Sequence, residues 1–256
     1  DALSSMKEIA QKERCAFIRV RPQVLDTPKH RSIIQKLGFR PAPMHLHAEL
    51  TRVLDLTKSD DALLSEMRKG TRYEIRKAQK MGIKVEQSSD ESLIESFMKL
   101  QEETAIREHF VPFSKTFLLE QFRAFGPKVR WFYILRSDLS MLSMAFVIFP
   151  AKCWSLKEAV YHYAASSQEA REIPAAYALQ WAIIQEAKKR GCTTYNLWGD
   201  VPDEKLSSHR FSGPSLFKRG FGGQQIAYLC AHDLPLSRRY WINWGIEIAR
   251  KKIRSL

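Results

Sequence analysis

Apolar and polar positions change period repeatedly along this chain, and each change predicts an element. Helical spacing over residues 2–14 gives way to alternation in CAFIRVRP, which predicts a strand burying Ile18 and Val20. HRSIIQKLGF predicts a short helix closed by Gly38, and the two prolines of RPAPM then forbid regular structure. A strand over 52–56 precedes Ser59, which caps DDALLSEMRK. Gly70 interrupts that helix, and Thr71 with Glu74 forms a capping box that opens another. Its inward stripe is Ile75, Ala78 and Gly82; its outward row is Arg72, Arg76 and Lys80. A strand over 83–86, a long helix over 91–109 and a helix over 115–125 stopped by Gly-Pro follow.

The second half reads as two long strands parted by residues 137–140, then a third, AVYHYAAS. Pro174 opens the longest helix, AAYALQWAIIQEAKKRG, whose apolar face is Tyr177, Trp181, Ile184 and Ala187 and whose stop is Gly191. A strand TTYNLWG, a glycine-rich loop FKRGFGG and a last strand QQIAYLCA complete the pattern. The longest apolar run, MLSMAFVIFP, is far short of the roughly 20 residues that span a bilayer, so it is expected to be a buried strand. Helices, an antiparallel meander, a helix and a strand is the element order of the acetyltransferase-like (GNAT) fold, a mixed α/β (α+β) class. Such enzymes hold coenzyme A on a glycine-rich turn after the meander. Here that turn, SSQEAREIPAAYAL, has no glycine, so coenzyme A is not expected.

Charge sharpens the picture. Among 256 residues, 41 Lys and Arg oppose 28 Asp and Glu, a net charge of +13. Residues 66–84 carry seven basic and two acidic side chains, and residues 236–256 carry six and one, so two short segments hold most of the excess. An anionic partner is implied: nucleic acid, a nucleotide-linked substrate or anionic lipid. The first cluster places Arg72 beside a helix N-terminus, a suitable anion site. The second, with Trp241, Trp244, Ile248, Arg250 to Lys252 and Arg254, reads either as an interfacial amphipathic helix or as a terminal helix docked by its tryptophans.

Cys15, Cys153, Cys192 and Cys230 form no Cys-x-x-Cys pair and complete no metal-ligand spacing with the histidines, so reduced structural thiols are expected. His45 and His47 lack a third ligand and read as one face of a strand. The chain opens on Asp1 with no signal peptide, and reads as a fragment or processed product of a cytoplasmic protein.

Five motifs in order, KGTRYEIRKAQKMGIKV, TAIREHF, YHYAAS, AAYALQWAIIQEAKKRGCTTYNLWG and FKRGFGG, resemble the Fem family of peptidoglycan-bridge aminoacyltransferases over about residues 15–233. The resemblance implies two tandem GNAT-like domains. Residues 51–229 would be the second; residues 1–50 with 230–256 would be the remnant of an incomplete first. It implies transfer of an amino acid from aminoacyl-tRNA to an amine of a UDP-linked or lipid-linked muropeptide, by a monomer with no cofactor and possible contact with the inner membrane face. Two rivals stay open: a coenzyme A-dependent N-acyltransferase acting on an amine such as an amino sugar, and a non-catalytic RNA- or membrane-binding module.

An aminoacyl ester is already activated, so the chemistry asks for positioning, a deprotonated amine and oxyanion stabilisation. By resemblance Lys218 is the cation nearest the reacting centre and Phe217 packs beside it, while Gly220, Gly222 and Gly223 let backbone approach the substrate. Arg107 corresponds to an arginine that meets the precursor's diphosphate. Tyr161 and Tyr163 alternate on one strand face and line the cleft, and Arg72 with Tyr73 matches the family's Arg-Tyr pair. Asp200, at a strand's C-terminal end where open α/β sheets place ligands, is a candidate general base.

Overall fold

The computed structural model describes residues 2–44, 49–108, 110–136, 138–150, 157–207, 209 and 211–253. The expectations placed on His45, His47, His109, residue 137, Cys153 and Arg254 lie outside them. In chain order the elements are α1 (Ala2–Lys12), β1 (Phe17–Val20), α2 (Pro28–Lys36), β2 (Arg40–Pro41), β3 (Leu50–Asp55), α3 (Asp60–Glu66), α4 (Lys69–Lys80) and β4 (Glu86–Ser88). Then come α5 (Leu93–Glu108), α6 (Lys115–Phe125), β5 (Val129–Leu135), β6 (Met141–Ile148), β7 (Glu158–Ser166) and α7 (Ala175–Lys189). The chain ends with β8 (Thr194–Asn196), α8 (Ser212–Arg219), β9 (Gln224–Ala227), β10 (His232–Pro235) and α9 (Arg239–Ile253). They form two compact units, Asp1–Thr51 with Gln225–Leu256, and Arg52–Gln224.

In the smaller unit three short strands run antiparallel in the order β1-β10-β2. Pro41 does take part, opposite His232, which an outer strand tolerates because proline lacks only the donor. Ile34, Phe39, Leu229 and Leu234 form the core, with Ile18 and Val20 packed partly buried against it. Asp233 points inward from the middle strand with no exposure, held by Arg19 through Nε at 2.6 Å and Nη2 at 2.8 Å. Arg19 also reaches Glu247 of α9, and the buried Tyr240 hydroxyl donates to Asp233. One guanidinium thus ties β1, β10 and α9 together.

The larger unit is a layered α/β/α structure whose strands stand in the order β4-β5-β6-β7-β8-β3. β4 to β7 form an antiparallel meander, α7 crosses over to make β8 parallel to β7, and β3 runs antiparallel to β8. β6, the long apolar run, is buried on both faces. α3, α4 and α7 cover one side through Leu63, Ile75, Leu179, Ile183 and Ile184. On the other side α5 and α6 pack Phe97, Leu118 and Phe122 on Trp131 and Phe146. The order predicted for a GNAT-like mixed α/β fold is the order observed.

Local expectations need correction. The break between α3 and α4 falls at Met67 and Arg68, in extended backbone, so Gly70 and Thr71 lie inside α4 and there is no capping box. Thr71 is buried and packs toward Gly220 instead. Gly82, at φ +66°, ends the turn after α4, and the following strand begins three residues later than its apolar pattern predicted. FKRGFGG opens as helix: Phe217, Lys218 and Arg219 form the last turn of α8, which begins in SGPS because a first helical turn tolerates proline.

Candidate functional site

β7 and β8 pair only from Glu158, Ala159 and Val160 to Thr194, Tyr195 and Asn196. β7 runs on to Ser166, while the chain after Asn196 bends away. The buried Asn196 side chain enforces the bend, its Oδ1 accepting the Trp198 N–H at 2.8 Å. Trp198 then sits at φ +53° and Gly199 at +34°. A tryptophan in the left-handed region is strained, and the strain turns two successive carbonyls toward α8. Lys218 Nζ donates to both, at 2.7 Å to Trp198 and 2.8 Å to Gly199. Withdrawal from water pushes the Lys218 ammonium down to about 8, against the opposing pull of Asp200.

A cavity of about 440 Å³ fills the gap, lined by Tyr161, His162, Ala164 and Ser166 of β7, Trp198, and Phe217 and Lys218 of α8. That volume suits a small ligand or a chain end. Phe217 is fixed between Tyr177 and Phe221, each 5.2 Å away edge-on. Arg107, in the last turn of α5, shares the cavity; its Nη2 donates to the Ser166 carbonyl at 3.3 Å. Its Nε meets Glu108 at 3.0 Å, and Glu108 also accepts from Arg171 at 2.9 Å. One carboxylate therefore spaces two guanidiniums, which with Lys218 leave the cavity net positive and apt for an anion.

His162 enters this wall through an irregularity. Across from β6, Phe146 faces Tyr163 and Val147 faces Tyr161, so His162 is the extra residue of a β-bulge. The bulge reverses one expectation. Tyr161 packs with the α7 side and lines the cavity, whereas Tyr163 packs on the α6 side, 4.7 Å from Phe113. The two tyrosines do not share a face. Burial pushes the Tyr161 hydroxyl up to about 12, partly offset by a hydrogen bond with Gln180.

Of the sequence-predicted residues, the fold brings Lys218, Phe217, Arg107 and Tyr161 to one cavity; Tyr163, Arg72, Tyr73, Gly222 and Asp200 do not line it. Arg72 Nη1 donates to the carbonyls of Leu64, Ser65 and Met67, capping α3 at its C-terminal end. Tyr73 is exposed. The glycines after α8 allow close approach, but to their own chain. A Cβ on Gly222 (φ +82°) would lie 3.0 Å from the Glu66 carbonyl, and one on Gly223 (φ +73°) would strike that of Val53. Asp200 lies four residues past the end of β8. Its side chain has no exposure and accepts from Arg52 and Arg219 at 3.3 Å each and from the Val201 N–H at 2.9 Å, an anchor for the bend.

Sequence reasoning missed Glu108, Arg171, His162 and Trp198. Glu108 and His162 stood inside the quoted motifs, one residue from Arg107 and between the tyrosines, while Arg171 sits in the glycine-free turn. Among the described residues, no group of three or more His, Cys, Asp or Glu side chains could hold a metal ion. No helix among them is long and apolar enough to cross a membrane.

Comparison with known proteins places the fold first. The crystal structure of FemX superposes with a TM-score of 0.79 at 20% identity, covering 94% of this chain and 77% of that one. The structure of L-PGS from Bacillus licheniformis gives 0.62 at 13% identity, covering 96% and 76%. A tandem GNAT protein from the clavulanic acid biosynthesis pathway gives 0.52 at 13%, covering 90% and 68%. The class is thus a GNAT-like mixed α/β protein. The profile of the FemAB family matches residues 41–141 and 150–246, and the chain belongs to that family. A curated relative, the Lipid II:glycine glycyltransferase of Staphylococcus aureus, is 30% identical over 119 residues, which are 43% of this chain and 28% of the relative's length.

Proposed function

We propose that the protein is an aminoacyltransferase that moves an amino acid from aminoacyl-tRNA to an amine of a peptidoglycan precursor's stem peptide. Membership of the FemAB family and the glycyltransferase activity for which the Staphylococcus aureus relative is named support this reading. The observation that carries it is Lys218. An ammonium has three donors, and the Trp198 and Gly199 carbonyls take two, leaving one for the cavity. Aimed at an ester carbonyl, that donor stabilises the oxyanion formed when the amine attacks. The donor's tRNA body stays outside, because about 440 Å³ admits only the aminoacylated 3′ end and the acceptor amine. At the other end, Arg107 and Arg171 fit the diphosphate of a UDP- or lipid-linked acceptor. Positioning and charge suffice for this reaction, with no metal or other cofactor. The basic clusters on α4 and α9 are the surfaces for tRNA and, at α9, for the anionic inner face of the membrane; residues 1–50 with 230–256 belong to a first GNAT-like domain.

The test incubates the intact protein with pools of charged tRNA and a UDP-linked or lipid-linked pentapeptide, and weighs the products. One added aminoacyl residue is the expected result, and no mass gain with any pool or acceptor would sink the reading. Coenzyme A thioesters as donor are expected to give nothing.

A further inference from the structure

We propose that Asn196 is a positioning residue: through the backbone bend after β8 it fixes the direction in which Lys218 offers its third donor to the reacting ester. The assignment rests on the aminoacyl-transfer reading and adds a part that reading lacks, the device that aims its oxyanion donor. Lysine is hard to aim, because its ammonium rides on a flexible stem with three rotatable donors. Here the Trp198 and Gly199 carbonyls hold two of those donors, and tetrahedral geometry then fixes the third. Whatever holds the carbonyls therefore decides where the cation points.

Asparagine is an unexpected residue at that place. Position 196 lies in β8, opposite Val53 of β3 on one side and Val160 of β7 on the other, and its side chain has no exposure. Tyr195 and Leu197 beside it are fully buried in the core. An amide between two sheet partners is disfavoured in a strand and costly to desolvate. It closes a turn instead: Oδ1 accepts the N–H two residues on, that of Trp198, at 2.8 Å. The last rung of the ladder to β3 is the Leu197 N–H on the Arg52 carbonyl at 2.8 Å, and directly after it Trp198 and Gly199 take φ +53° and +34°. Tryptophan holds that region only where its surroundings impose it. The two carbonyls converge on one ammonium as a result, at 2.7 and 2.8 Å. Asp200 anchors the chain beyond these carbonyls, whereas Asn196 acts before them.

The same contacts bear on the charge. Carbonyls that accept from an ammonium favour its charged form, against the burial that pushes Lys218 down to about 8. The other titratable and charged groups around it are Asp200 behind the bend, Tyr161 and His162 of β7, Arg107 and Glu108 of α5, and Arg171. A substitution at 196 leaves each of them in place, so a change in the Lys218 titration reports the carbonyls.

The test compares wild type, Asn196→Leu, which is close in volume but has no acceptor, Asn196→Asp, which keeps the acceptor, Lys218→Met, and the double variant Asn196→Leu/Lys218→Met. Thermal unfolding checks folding, and kcat and KM are taken on the folded fraction. The Lys218 titration is followed by ¹³C NMR of lysine labelled at the ε-carbon, the signal being identified by its loss in Lys218→Met. Asn196→Leu should lower kcat about 10²-fold with KM little changed, within the range for losing one oxyanion donor. Asn196→Asp should recover most of that loss, and in the Lys218→Met background Asn196→Leu should add little. The Lys218 titration should fall by about one pH unit in Asn196→Leu. A folded Asn196→Leu with wild-type kcat, a loss that repeats in full on Lys218→Met, or a Lys218 titration that stays put overturns the assignment. If Asn196→Leu does not fold, Asn196→Ser, whose hydroxyl closes the same turn more weakly, takes its place with the same readouts. If the wild-type protein transfers nothing, the aminoacyl-transfer reading has failed, while the titration still decides whether Asn196 holds Lys218.

Discussion

Lys218 is costly to keep charged. Its folded value near 8 lies below the ordinary 10.5, chiefly from burial, so between those values the unfolded chain binds more protons than the folded one. Stability from this group therefore rises with pH across that window and is flat below it. Urea unfolding of wild type and Lys218→Met at about pH 7 and pH 10 should show the wild type gaining relative to the variant, since only the wild type has this group to titrate. Activity should run the other way. Loss of the third donor as pH passes about 8 predicts falling kcat/KM in the wild type. Asp200 gives a contrasting case. Asp200→Asn leaves Arg52 and Arg219 without their shared buried carboxylate, and should cost about 3 kcal/mol in denaturant unfolding while leaving the kcat of the folded fraction little changed. A folded variant whose kcat falls about a hundredfold or more would return Asp200 to the role of base.

At the scale of elements, legibility followed the strength of local chemistry. α6 was readable to the residue, because Ser114 caps it and Gly126-Pro127 stops it. α8 was not, because Gly213 and Pro214 imitate a loop and only the first turn excuses them. β10 was hidden as well: His-Asp-Leu-Pro is a poor strand until Arg19 neutralises Asp233 from another strand. The bulge in β7 left no local trace either, since register belongs to the pair of strands, and with it went the true faces of Tyr161 and Tyr163. Arg72 shows how a motif residue can serve the scaffold. Arg72→Met should lower stability by about 1.5–3 kcal/mol through the lost α3 cap. Its KM for either substrate should match the wild type's, measured on the folded fraction; a raised KM would restore Arg72 to substrate binding.

For the molecule as a whole, the +13 charge means that affinity for a polyanion depends on salt. Binding of charged tRNA should weaken at least about tenfold between roughly 50 and 200 mM salt, while the KM for a small neutral acceptor mimic moves far less. Filter binding across a salt series checks this, and a flat response would separate the two basic clusters from tRNA. Family and fold were legible because they rest on many ordered motifs. The cavity was only half legible: Lys218, Arg107, Glu108 and Trp198 all lie in those motifs, but that the Trp198 carbonyl aims Lys218 and that Arg171 joins Glu108 beside Arg107 is decided by tertiary packing.

β10 carries a consequence for how the protein is made. It is the middle strand of the small sheet, yet it leaves the ribosome after β1, β2 and the entire larger unit. Until it arrives, β1 and β2 have no strand to pair with, and Arg19 waits for carboxylates 214 and 228 residues downstream. Residues 17–41 therefore stay open to proteases and chaperones on the nascent chain until β10 has been made, and their closure can act as a checkpoint that synthesis has passed residue 235.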